Sequence, residues 1–210
     1  MKILVACEYS GIVRDAFLRK GHNAVSCDIL ETESPIIYEE GHYKGDVKDI
    51  LYDGWDMMIA HPPCTYLSVS GLRWLYHDED KHLPKEKRRP HPKFPNRLQQ
   101  QKEALDFVRL LLEAPIEKIC VENPVSVISS QIAKPSQTIQ PYEFGHAESK
   151  RTCLWLKNLP LLKGTNNVYD YMMTLPLKER QRIHWLGSGK GKERSKFYTG
   201  FADAMAEQWG

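Results

Sequence analysis

The chain has 210 residues and a mass of 24.3 kDa, with 41% hydrophobic residues, which is enough for one good-sized core and cramped for two domains. Its 29 basic and 27 acidic residues nearly cancel to a net charge of +2, so overall charge does not mark a nucleic-acid binder and only local clustering would. Five cysteines (Cys7, Cys27, Cys64, Cys120, Cys153), odd in number, far apart and without a Cys-x-x-Cys pair, argue against a disulfide framework and a thiolate zinc site and fit a reducing cytoplasm. No segment reaches the length of a membrane-spanning helix, and "MKILVAC" is too short and too soon followed by charge for a signal peptide; no membrane partner is expected.

In chain order, "KILVAC" (2–7) has the length and β-branched character of a strand. Ser10-Gly11 then leads into "IVRDAFLRKG" (12–21), where Val13, Ala16, Phe17 and Leu18 suit one helical face and Gly21 stops the helix. "NAVSCDIL" (23–30) is a second strand ending in Asp28, "GDVKDI" (45–50) a short third piece, and "WDMMIA" (55–60) a further strand. "RLQQQKEALDFVRLLLEAP" (97–115) places Leu98, Leu105, Val108, Leu111 and Leu112 on a helical stripe, and "IEKICVENP" (116–124) follows as a strand with polar groups at its end. "TIQPYEFG" (138–145) and "RTCLWLKN" (151–158) read as an antiparallel pair, and a C-terminal helix is expected at about 199–209. This alternation predicts an α/β fold over residues 1–210: one doubly wound, mostly parallel sheet, Rossmann-like, in a single domain.

Open α/β sheets bind ligands outside the carboxyl ends of their strands. Ser10-Gly11, Asp28, Cys64 and Glu122-Asn123 all fall there. A glycine-containing turn followed by an acid at the next strand end is a nucleoside-cofactor layout; the plainer alternative is that Gly11 serves the turn and Asp28 caps. Cys64 follows Pro62-Pro63, whose rings fix φ and restrict the residue before them. The thiol is either a nucleophile aimed by that stiff turn or a cysteine buried beside it.

Taken together, these landmarks resemble the DNA (cytosine-5) methyltransferases, especially a small phage-type branch without a large target-recognition region. The residues that carry the likeness are "EYSG" (8–11), Asp28, "GDV" with Asp46, "HPPC" (61–64), "ENP" (122–124), "KRTCLW" (150–155) and "FYTGFADAMAEQW" (197–209). "PPC" followed by "ENP" is its specific part. The resemblance implies a class I fold using S-adenosylmethionine, held by Glu8, Ser10, Gly11, Asp28, Asp46 and Pro62. It implies Cys64 as the nucleophile that adds to cytosine C6, Glu122 as the group that bonds N3 and N4, and Arg151 or Lys150 as the cation that holds O2 and favours a thiolate. Ser68 and Asn123 stand where substrate contacts are expected. The chain departs from the family at Val13, Thr65, Pro124 and Phe201. The implied substrate is cytosine in DNA, with weak sequence specificity or a partner that supplies it; the alternatives are the same chemistry on a free cytosine nucleotide, or a silent cofactor- or nucleic-acid-binding module.

A basic loop is expected at 76–97. Its part 81–97, "KHLPKEKRRPHPKFPNR", carries seven Lys or Arg against one Glu, and Arg88 and Arg89 are its candidate phosphate contacts; a merely solvated excursion is the alternative. "GSGKGKERSK" (187–196) fails the spacing of a phosphate-binding loop and reads as a flexible basic loop. His77, His82 and His91 read as incidental surface histidines and no metal site is expected; His61 is expected to pack beside the turn, with a role in positioning Cys64 as the alternative.

Overall fold

Successive side chains of the central strands enter opposite cores, which is why these strands read as unbroken apolar runs. In β1 (Lys2–Ala6), Ile3 and Val5 face one core while Leu4 and Ala6 face the other. The structure, a computed structural model, describes residues 1–36, 41–186 and 189–210. The remaining strands are β2 (Asn23–Asp28), β3 (His42–Lys44), β4 (Met57–Ala60), β5 (Lys118–Pro124), β6 (Gln137–Ile139) and β7 (Thr152–Lys157). The helices are α1 (Ile12–Arg19), α2 (Arg97–Leu112), α3 (Ile128–Gln131), α4 (Tyr169–Thr174), α5 (Leu177–Arg180), α6 (Arg182–Trp185), α7 (Gly191–Ser195) and α8 (Thr199–Trp209).

The strands form a seven-stranded sheet in the order β3-β2-β1-β4-β5-β7-β6, parallel except where β7 pairs antiparallel with β5 and β6. This is the doubly wound, mostly parallel, Rossmann-like sheet expected from the sequence. One core packs α1 and α8 against Ile3, Val5, Met57, Ile59, Cys120 and Leu154; the other packs α2 and Trp55 against Leu4, Ala6, Met58, Ala60, Ile119 and Val121. Phe201, Met205 and Trp209 of α8 are buried, each worth about 1.5–3 kcal/mol relative to exposure. Gly200 lets α8 start directly beneath Phe144, because a Cβ there would run into the Phe144 carbonyl. No helix among the described residues is long and apolar enough to cross a membrane.

Several local expectations need correction. The third strand is His42–Lys44 rather than 45–50, because the Asp46 side chain accepts the Lys48 N–H at 3.0 Å and starts a 3₁₀ turn over Val47–Asp49. The antiparallel pair forms, but β6 stops at Ile139, where Pro141 lacks the N–H to continue the ladder and opens a 3₁₀ turn. Within "GSGKGKERSK", residues 187–188 lie outside the described residues, and 191–195 form α7 rather than loop. His91 is not a surface histidine: it is 6% exposed and packed against Trp74 and Phe94. α1 also buries a pair that periodicity does not flag, Arg14 and Asp15, joined at 2.6 Å.

Candidate active site

Strand register brings the polar ends of β1, β4 and β5 to one level. Ile59 pairs with Cys120 and Ala60 with Val121, so His61 and Glu122 emerge side by side from the adjacent strands β4 and β5. His61 Nδ1 lies 3.1 Å from Glu122 Oε2, and both side chains are largely buried. One residue further, Asn123 donates its Nδ2–H to the Pro62 carbonyl at 2.9 Å, tying the diproline turn to β5. Cys64 follows, with its carbonyl accepting the N–H groups of Leu67 and Ser68. From the other side α2 braces the turn: Arg97 Nη2 donates to the Thr65 carbonyl at 2.7 Å and Gln101 to that of Tyr66 at 2.9 Å. Pro63 and Tyr66 then line, with Gln100, Glu103, Ala104 and Phe107, a hollow of about 310 Å³.

Cys64 keeps an exposed face, whereas Cys27, Cys120 and Cys153 are buried. Crowding by the surrounding cleft pushes the Cys64 thiol up, and the Glu122 carboxylate adds to this; Lys150 and Arg194 pull the other way without prevailing. The expected cationic bias toward a thiolate is therefore outweighed in the resting site. Lys150 and Arg151 also part company where β7 begins. Lys150 donates from Nζ to the Arg194 carbonyl at 3.2 Å and its charge acts on the Cys64 thiol, whereas Arg151 is exposed and acts on Cys153 and Tyr142. Arg194, on α7, acts on the thiol as a second cation; it is legible in the sequence only as part of a basic stretch, because more than a hundred residues separate it from Cys64 in the chain. His61, singled out beside the turn, meets Glu122 instead, a contact that depends on the register between β4 and β5. Ser68 bridges to Ser126 on the loop after β5, and its Oγ lies 3.1 Å from that of Ser70.

At the ends of β1 and β2 the picture is mixed. Gly11 sits at φ +72° and has no room for a Cβ, which would stand 2.5 Å from the Ser34 Cβ, so the turn requires glycine. Glu8 does not face an open cleft. Its buried carboxylate accepts the N–H groups of Val13 at 2.7 Å and Arg14 at 3.2 Å and the Ser10 hydroxyl at 3.2 Å, taking up the N-terminus of α1. Burial nonetheless pushes its carboxyl up. Asp28 accepts the Leu30 N–H at 2.9 Å and leaves Ile29 74% exposed beside it. Asp28 and Asp46 stand close enough together to help burial raise Cys7 and push Cys27 up to about 12. This open edge offers two acids and an exposed apolar side chain, the kinds of group a nucleoside's hydroxyls and base would need, while Glu8 is taken up by α1.

The basic loop is fastened to itself. Arg89 makes a forked pair with Asp80 at 2.7 and 2.9 Å and reaches Glu79 at 3.2 Å, while Arg88 donates to the carbonyls of Leu83 and Lys81 and lies over the Tyr76 ring. Both guanidinium groups thus have partners within the loop.

No family model and no curated protein matches the chain. Among solved structures, one that is similar is a prophage-encoded E. coli protein proposed to be a DNA modification methyltransferase, at 13% identity and a TM-score of 0.42. The similarity covers 73% of this chain and 45% of that one, so this chain spans less than half of that structure's length.

Proposed function

We propose that this chain is an S-adenosylmethionine-dependent methyltransferase that acts on cytosine C5 in DNA through a covalent adduct at Cys64. The observation that carries this reading is the convergence at one sheet edge of an exposed cysteine on a tethered diproline turn, a largely buried carboxylate at the next strand end, and two cations, Lys150 and Arg194. The sheet order and the acids ending the cofactor half support it.

Cytosine C5 is a weak nucleophile, and addition of the Cys64 sulfur to C6 makes C5 enamine-like. Glu122 bonds the N3–N4 edge and offsets charge developing in the ring. Cys64, resting as a thiol, must lose its proton when substrate fills the cleft, and Lys150 and Arg194 are the cations placed to favour that. Asp28 would hold the cofactor's ribose and Asp46 its adenine, and the bound cofactor would supply the methyl group; loss of the C5 proton to water then breaks the bond from C6 to Cys64 and releases 5-methylcytosine and the cysteine. Residues 158–198 carry only four short helices among the described residues, which supports weak sequence selectivity or a partner that supplies it.

The test is mechanism-based trapping. DNA with 5-fluorocytosine, which has no C5 proton to lose, is expected to remain bonded to Cys64 in the presence of S-adenosylmethionine, and C64S is expected to abolish the bond. Duplex DNA, single-stranded DNA and cytosine nucleotides run in parallel assign the substrate. Trapping at another cysteine, or none with any substrate, overturns the reading. Calorimetry should show weaker cofactor binding in D28A.

A further inference from the structure

Among the described residues, His61 is the only side chain that bonds Glu122. Three directions hold the imidazole in place. Its backbone N–H donates to the Ala6 carbonyl of β1 at 2.9 Å, its ring tilts over Phe197 at 4.6 Å, and Nδ1 meets Glu122. Glu8 is the other acid that the ring acts on. Nε2 is buried and has no partner among the described residues. The ring therefore has one bonded nitrogen, and that bond goes to the carboxylate next to Cys64.

A buried carboxylate with no donor is costly and free to turn about its terminal torsion. One oxygen held by an N–H leaves the other in a fixed direction, as second partners do for metal-ligating and catalytic groups. We propose that His61 is the positioning residue of Glu122: it donates Nδ1–H to Oε2, setting the carboxylate plane so that Oε1 faces the edge of the base. This inference rests on the cytosine reaction proposed at Cys64.

Two variants separate positioning from packing. H61F keeps a ring against Phe197 but has no donor, whereas H61N places an amide N–H near the position of Nδ1. We expect kcat in H61F to fall by about 10–100-fold, with KM for DNA changed by less than about threefold, and H61N to remain within about fivefold of wild type. Thermal melts of both variants check that they fold. Independently of turnover, ¹⁵N-resolved NMR of the histidine rings should find a proton on His61 Nδ1 whose signal moves in E122Q. A bare Nδ1 overturns the proposal whatever the activity. Equal activity in H61F and H61N, with Nδ1–H present, overturns positioning and leaves packing. Nδ1–H present in a wild-type protein that methylates nothing overturns the proposed reaction itself, and with it a catalytic use for the pair.

Discussion

Asn123 is the fastening between the diproline turn and the sheet, and its replacement gives a graded prediction. The side chain is 1% exposed, its Nδ2 donates to the Pro62 carbonyl at 2.9 Å, and its Oδ1 has no partner among the described residues. In N123A the Pro62 carbonyl is left buried without its donor, which costs about 1–3 kcal/mol. Removing the unpartnered Oδ1 offsets part of that loss, so the net effect stays within the same range. For a chain of this size that corresponds to a fall in Tm of about 2–12 °C. N123D is nearly the same shape but sets a buried carboxylate against a carbonyl oxygen, and it should lose more than N123A. Calorimetric or urea melts at neutral pH measure both. The reasoning is refuted if N123D is as stable as wild type, or if N123A is the worse of the two. In either variant the loosened turn should also speed alkylation of Cys64.

Two further outcomes follow from the charges around the site. The raised Cys64 thiol means that its iodoacetamide reaction, followed at that residue by mass spectrometry, should climb only above the pH range of an ordinary thiol; E122Q should move the midpoint down and K150A should move it up. A midpoint at or below that of a cysteine peptide contradicts the arrangement. The Arg89 guanidinium holds the Asp80 carboxyl well below the usual carboxylate range, so the stabilisation it gives the basic loop is full above the unfolded-state value and fades as pH falls toward the depressed one. R89A at neutral pH should mimic acidification, seen as faster proteolysis or amide exchange across residues 78–89. If R89A leaves the loop as protected as wild type, the Asp80–Arg89 pair is not what fastens it, and charge reversal there becomes a clean probe of phosphate contact.

Much of this protein is legible in its sequence because local pattern and core geometry agree. The apolar runs of β1 and β4 announce strands buried on both faces, the stripe of Leu105, Val108 and Leu111 announces α2, and polar residues ending those runs mark where a doubly wound sheet keeps its ligand edge. Cys64 and Glu122 could be singled out because their residue types and the prolines beside Cys64 are local features. What only the tertiary structure decided are the partners. Glu8 turns to cap α1 and Arg89 closes on Asp80, each choice depending on which donors lie within about 3 Å in space, and the charge of Lys150 rather than that of Arg151 acts on the thiol. The His61–Glu122 contact is the intermediate case. His61 follows β4 and Glu122 lies near the end of β5, both predictable strands, but their meeting depends on the register between them, and a one-residue slip of either strand would have sent its side chain to the opposite face. Register is set by how two whole cores fill, a property of the packed sheet that no stretch of sequence carries alone.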